Sequence, residues 1–387
     1  MSTSTKLGIR NIPIARPCMG VEEEAAVLSV LRSGWISQGP KVAEFEREFA
    51  AYVGAPYAIA LSSCTTALHL AMVLAGIKEG DEVLCPSLSF IATANAIRYV
   101  GATPVFVDID PGTYNIDPNR VEEAIGPRTR AILAVHQVGM PAAMNELGAI
   151  ARRRGLVLME DAACASGSKY MGEQVGHPHS LLACFSFHPR KVLSTGEGGM
   201  ITTADEHVAA RARRLRQHAM SVSDLARHSS NKIVSESYDE VGFNFRMTDM
   251  QAALGLVQLQ RLPGFLERRR ARAAKYTAVL GQLPFFVPPQ EPEGCVTNFQ
   301  SYMARMLEDA PVTRDDLMQA LLDRGISTRR GVMPMHRERP YADPCWDARL
   351  PETNRAADHT IILPLFHQMT DEDQDYVLDA ILEACRR

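Results

Sequence analysis

An α/β fold with a mainly parallel sheet is what this sequence predicts, on three observations. Between Thr103 and Met159, apolar runs alternate with helical patterns. Thr103–Val107, Ala131–Val135 and Leu156–Met159 read as strands, Asp117–Ile125 and Met144–Arg154 as helices. Strands separated by helices of this length form βαβ units, hence a parallel sheet with helices on both faces. The run Leu156–Met159 ends on Glu160-Asp161, which puts carboxylates at the strand's carboxyl end, the edge where open α/β sheets bind ligands. A length of 387 residues gives room for one large domain and a smaller one.

Taken in order, the start MSTSTKLGIRNIPIARP lacks the apolar core of a signal peptide. Val21–Ser33 is helical by its spacing of Val, Ala and Leu, and Gly34 closes it. The loop Trp35-Ile36-Ser37-Gln38-Gly39-Pro40 leads to a second helix, from about Val42 to Val53. Ala58–Leu61 is a strand, and Ser62-Ser63-Cys64-Thr65-Thr66 opens a helix over Ala67–Ala75. Small hydroxyl residues there act as N-caps, and the free N–H groups at a helix start also make an anion site. Glu82–Cys85 is a strand, followed by Pro86-Ser87-Leu88-Ser89-Phe90 and a helix from about Ile91 to Val100.

Beyond the βαβ stretch, Phe185–His188 alternates apolar and polar residues and gives way to Lys191. The turn Ser194-Thr195-Gly196-Glu197-Gly198-Gly199 follows, and its glycines let a second backbone or a ligand come close. Ala204–Gln217 is a helix, and Ser221–Glu240, polar and Ser-rich, reads as a mobile loop near a substrate entrance. Gly242–Ala253 leads into a long helix that Pro263-Gly264 is expected to break. The domain boundary is placed there: 1–262 an N-terminal segment and large domain, 263–387 a small α+β domain. In the latter, Tyr302–Leu307 is strand-like, Thr313–Arg324 is a helix with Thr313 as N-cap, and Thr370–Cys385 is a closing amphipathic helix. There is no internal repeat and no low-complexity segment.

Composition narrows the function classes. A net charge of −4 argues against nucleic acid or an anionic membrane as the main partner, and no apolar run approaches the roughly 20 residues of a membrane span. Arg152–Arg154, Arg211–Arg216 and Arg268–Arg272 lie in helical patterns and read first as solvated faces, second as phosphate contacts. The eight cysteines show no CxxC pair and no His at metal spacing, so no metal site is expected. Several sit in apolar runs, as free thiols do in a reducing compartment, which points to the cytoplasm. No G-x-G-x-x-G follows the strand before Ser62, which disfavours a NAD-type Rossmann enzyme.

A lysine and an aspartate on neighbouring strand ends suit one chemistry well. Lys191 would carry pyridoxal phosphate (PLP) covalently, and Asp161 would pair with the pyridinium nitrogen and keep it protonated, so that the ring accepts electrons from a departing proton. Taken alone, Lys191 also reads as a solvated surface residue, Asp161 as a helix cap and His136 as a structural histidine.

The motifs EDAACASGSKY and FSFHPRKVLSTGEGGM together resemble the nucleotide-sugar aminotransferases of the DegT/DnrJ/EryC/StrS family, in particular its perosamine-synthase-like members. The resemblance runs from about Ile12 to the C-terminus. It implies the PLP-dependent aminotransferase fold type I, with Lys191 and Asp161 catalytic. By the same likeness Cys64, Thr65, Ser186 and Asn244 hold the phosphate, Phe90 stacks on the ring and Cys164 meets its phenolate oxygen. Ser37, Arg246, Arg330 and His336 are implied substrate contacts. GFNFRMT resembles the family segment that reaches the neighbouring subunit's site, which implies a homodimer with shared active sites.

Three positions depart from the family pattern. Cys64 replaces a glycine, Val138 a tyrosine and Cys164 a glutamine, and a thiol is a weaker donor than an amide. The implied reaction moves an amino group from an amino acid, with glutamate expected, to a nucleotide-linked 4-keto-6-deoxy sugar. GEGG leans towards amination at C4. The rivals are a keto-cyclitol aminotransferase of antibiotic synthesis and a non-catalytic PLP-fold protein with a binding or regulatory role. A PLP-dependent sugar dehydratase carries His in place of the lysine, so Lys191 counts against it.

Overall fold

The computed structural model describes residues 10–222 and 235–386. The middle of the expected loop Ser221–Glu240 and the first nine residues lie outside the described residues. The first strands are β1 (Tyr57–Leu61), β2 (Glu82–Pro86), β3 (Thr103–Val107), β4 (Thr129–Val135) and β5 (Val157–Asp161). After the short pair β6 (Lys169–Tyr170) and β7 (Glu173–Gln174) come β8 (Leu182–Ser186) and β9 (Gly199–Thr203). Seven of these form one sheet in the order β1-β9-β8-β5-β4-β2-β3. Only β9 runs antiparallel to its neighbours, so the sheet is mainly parallel, as the βαβ pattern predicts.

Strand order explains where a ligand can sit. The chain steps outward from β2 to β3, then returns to place β4 on the other side of β2 and continues to β5. Connections leaving β2 and β4 therefore diverge, and open a crevice at the carboxyl ends of the strands. β5 extends to Asp161, two residues beyond the apolar run. Alternation sends Glu160 and Asp161 to opposite faces, and each carboxylate finds partners there. Glu160, 1% exposed, takes hydrogen bonds from His136 Nε2 (2.8 Å) and Ser180 Oγ (2.6 Å). His136 Nδ1 accepts from the Ala142 amide (2.9 Å), which leaves Nε2 as the donor to Glu160.

A second sheet, β10-β12-β14-β13, is built from β10 (Phe286–Val287), β12 (Tyr302–Met306), β13 (Arg329–Arg330) and β14 (Thr360–Leu363), all antiparallel. β11 (Cys295–Val296) joins β6 and β7 in a small third sheet. The helices Arg314–Asp323 and Asp371–Ala384 cover the second sheet, capped by Thr313 and Thr370, whose side chains accept from the Asp316 and Asp373 amides.

One expectation is corrected. Pro263-Gly264 does not break the long helix, which runs from Asp249 to Leu280. An interior proline costs about 3 kcal/mol, but burying one large apolar side chain gains about 1.5–3 kcal/mol. Leu259, Leu262 and Phe265 are all buried around the proline, on the large sheet's core. Ala273, Tyr276 and Leu280, further along the same helix, join the core of the second sheet. Packing at both ends outweighs the local penalty.

Candidate active site

A cavity of about 340 Å³ opens at the crevice beyond β2, β4 and β5. Cys64, Thr65, Phe90, Asp161, Cys164, Ser186 and Lys191, far apart in sequence, all line it. Phe90 is 62% exposed, so its ring faces open space and is no part of the core.

Asp161 ends β5 at one side of this cavity, 5% exposed. Its Oδ2 accepts from Thr93 Oγ1 at 2.8 Å and its Oδ1 from the Ala163 amide at 3.1 Å. Ser89 and Thr93 hydroxyls lie 2.8 Å apart, which ties the loop after β2 to the same carboxylate. Burial pushes the Asp161 carboxyl above the usual carboxylate range, against those two hydrogen bonds and the nearby Lys191. A buried carboxylate with spare acceptor capacity suits a cationic ring nitrogen.

Lys191 lines the same cavity. Its Nζ donates to Cys164 Sγ at 3.1 Å. Burial works against the ammonium charge, yet Cys164, Cys64 and Asp161 hold the Lys191 pKa above the ordinary lysine value. Cys64 lies under the site, 8% exposed, and burial together with the Asp161 charge drives its thiol pKa well up.

The third wall is the N-terminus of the helix Cys64–Leu74. Ser63 caps it, accepting from the Thr66 amide at 3.1 Å, while the Thr66 side chain bonds back to the Ser63 amide. Cys64 and Thr65 form the first turn, where amides have no partner within the helix. β9 explains how this turn is held. A Cβ at Gly199 would overlap the Ser63 carbonyl and the Cys64 amide, so only glycine lets β9 pack against the capping turn. The Gly-rich loop thus serves the approach of a second backbone.

Five residues named from the sequence line no part of this cavity within one chain. Ser37 is exposed, and its carbonyl accepts from the Asp249 amide. Phe243 and Phe245 stack on each other, centroids 4.7 Å apart, and both rings meet His69. Alternation then turns Asn244 to the other side, where it is exposed, and Arg246 with it, half-buried. Arg330 is exposed beside Asp315, and His336, 2% exposed, bonds Ser87 Oγ (2.8 Å) and Asn354 Oδ1 (3.1 Å).

Sequence reasoning passed over Thr93, Arg190, Gln300 and Arg329. The last three line the cavity, and Thr93 stands behind Asp161. Pairing in β13 separates the two arginines: Arg329 lies opposite Ile362, a lining residue, and Arg330 opposite Ile361, a core residue. A strict period of two along 329–330 carried that signal.

The sequence model of the DegT/DnrJ/EryC1/StrS aminotransferase family matches residues 17–382. The chain belongs to this family. It is 41% identical over 375 residues to the spore coat polysaccharide biosynthesis protein SpsC of Bacillus subtilis, covering 96% of each chain. Among solved structures it is similar to the aminotransferase TlmJ of Streptoalloteichus hindustanus, at 36% identity and a TM-score of 0.88, covering 96% of this chain and 98% of that one. DesV of S. venezuelae gives 34% identity and a TM-score of 0.87, covering 97% and 99%. Members of the DegT/DnrJ/EryC1/StrS family are PLP-dependent, and this chain is an aminotransferase with the corresponding α/β fold. Among the described residues of this aminotransferase, no helix is long and apolar enough to cross a membrane.

Proposed function

We propose that this aminotransferase transfers an amino group from an amino acid, L-glutamate by preference, to a nucleotide-linked 4-keto-6-deoxy sugar, with PLP as cofactor. The observation that carries the reading is one cavity lined by a buried aspartate, a lysine and the N-terminus of a helix. The similarity to SpsC, a polysaccharide biosynthesis protein, supports a sugar acceptor.

The residues present fit the cofactor. Asp161 offers a carboxylate of low solvation to a ring nitrogen, and Phe90 an exposed aromatic face to the ring. Thr65, Ser186 and the first amides of the helix Cys64–Leu74 would receive the phosphate, and Lys191 would bind the aldehyde carbon. Bound there, PLP supplies an electron sink for the carbanion formed when the donor loses its α-proton. Lys191 would be the base that takes this proton and the acid that returns it. Asp161 would keep the ring nitrogen protonated, with Thr93 holding Asp161 in place.

Asn244, on the outward side of its segment, is read as a phosphate contact in the partner's site of a homodimer, and Arg246 as a contact to an anionic part of substrate or cofactor. Ser37 and Arg330 stay as proposed substrate contacts; His336, buried and bonded at both ring nitrogens, fits a role in holding the loop after β2 instead. Residues 1–262 and 263–387 are read as the large and small domains. Eight unpaired thiols suit a cytoplasmic enzyme. The test is direct. Purified protein with PLP should be yellow, lose the colour with L-glutamate, and regain it with a 4-keto-6-deoxy nucleotide sugar. Recovery with a free keto-cyclitol alone would overturn the acceptor assignment.

A further inference from the structure

The loop that carries Lys191 has hydrogen bonds of its own and packs Val192 and Leu193 into the core, and a distant part of the chain grips it on both sides of the lysine. Gln300 Oε1 accepts from the Val192 amide at 2.9 Å, and Gln300 Nε2 donates to the Arg190 carbonyl at 2.6 Å. One side chain therefore spans Lys191, gripping the residue on each side. Gln300 is 9% exposed. Its own carbonyl and that of Phe299 accept from Arg269 of the long helix, each at 2.8 Å; Arg269 is 4% exposed.

Asn298, two residues earlier, does the same for the opposite wall. Its Nδ2 donates to the Cys164 carbonyl (2.8 Å) and the Ser166 carbonyl (2.9 Å), and its Oδ1 accepts from the Gln300 amide (2.7 Å). Space for this side chain exists because residue 139 is glycine: a Cβ there would overlap Asn298 Oδ1. Between the two amide side chains, Phe299 has φ +47°. A left-handed aromatic residue is uncommon and costs of order 1–3 kcal/mol, and such strain persists where the surroundings impose it.

We propose that Asn298-Phe299-Gln300 is a brace that sets the distance between Lys191 and the Asp161–Cys164 wall, with Gln300 the positioning residue for Lys191. The strained turn at Phe299 is what lets Asn298 reach one wall while Gln300 reaches the other. Gln300 touches no reacting atom; it acts by fixing the backbone on which Lys191 swings between holding the cofactor and moving a proton. The inference rests on the reading of Lys191 as the cofactor-bearing residue.

Amide exchange in the full chain, followed by mass spectrometry without PLP, reads the brace by itself. Gln300→Ala should speed exchange of the Val192 amide by about tenfold or more, and slow covalent capture of added PLP by about tenfold, since small misplacements of a reacting group carry penalties of that size. Gln300→Glu keeps the acceptor for Val192 but has no donor for Arg190. It should protect Val192 as the natural residue does, keep an unchanged circular dichroism spectrum and still capture PLP slowly. Should Gln300→Ala fail to fold, the glutamate variant decides. Capture as fast as wild type by Gln300→Glu, or unchanged Val192 exchange in Gln300→Ala, overturns the brace. A Lys191→Ala protein that still captures PLP would instead overturn the role of Lys191, and leave the exchange result standing on its own.

Discussion

Lys191 Nζ lies 3.1 Å from Cys164 Sγ, a contact made where the family resemblance expects a glutamine. The thiol accepts a hydrogen bond from the amine, and it favours the charged form against the burial that opposes it. Removing it leaves burial less opposed, so the lysine pKa falls and more neutral amine is present at any pH below the ordinary lysine value. Cys164→Ala should therefore raise the rate at which an amine-selective reagent labels Lys191 at pH 8, because the neutral amine is the reactive form. Peptide mapping reads the rate. A rate equal to wild type would show that the contact does not govern this lysine.

Among the described residues, Thr93 is the one side-chain donor to Asp161. A hydrogen bond to a charged group contributes about 1.5–3 kcal/mol. Thr93→Val keeps the shape of a fully buried residue and removes the donor. PLP affinity should fall roughly tenfold to hundredfold with little change in the thermal midpoint. A large drop in stability with unchanged affinity would reassign Thr93 to the core.

Acid should release the cofactor earlier than an ordinary carboxylate would allow. The folded pKa of Asp161 is raised by burial, so its carboxylate is lost as pH falls through a value above 3.8. The proposed ring cation would favour the carboxylate, so cofactor affinity is full above the raised pKa of the free site and weakens as pH falls below it. PLP dissociation followed from pH 7 downward should steepen in that window, and Asp161→Asn should bind weakly at every pH with no such step. An Asp161→Asn protein with the wild-type profile would contradict the pairing.

His367 gives a separate pH signal. Burial and the neighbouring Arg269 and Arg268 push it down from 6.5 to about 3, and its ring stacks on Phe265 at 4.1 Å. A histidine held neutral by the fold gains a proton on unfolding, so stability is full above pH 6.5 and falls as pH drops towards 3. One proton changes the slope by about 1.4 kcal/mol per pH unit. His367→Phe should flatten the acid limb of the stability curve by that amount, measured by urea unfolding at pH 6.5, 5.5 and 4.5. An unchanged slope would mean that the ring is protonated in the fold.

Much of the fold was legible because it rests on local periodicity. The strands from Thr103 to Asp161, and the caps Thr313 and Thr370, follow from spacing and cap chemistry within a few residues. Pro263 misled because its penalty is local while the compensation from Leu259, Leu262 and Phe265 is tertiary. Replacing this exposed proline with alanine should stabilise the protein by about 1–3 kcal/mol. The residues on contiguous motifs, Lys191, Asp161, Cys164 and Ser186, were legible and meet in the cavity. Thr93 and Gln300 were not, since each acts across 68 and 108 positions of sequence through bonds that leave no short-range pattern.

Covalent attachment tests the central claim most directly. The full chain, incubated with PLP, reduced with borohydride and digested, should yield one pyridoxylated peptide, with the label on Lys191. Label on any other lysine of the sequence, with Lys191 unmodified, would contradict the account.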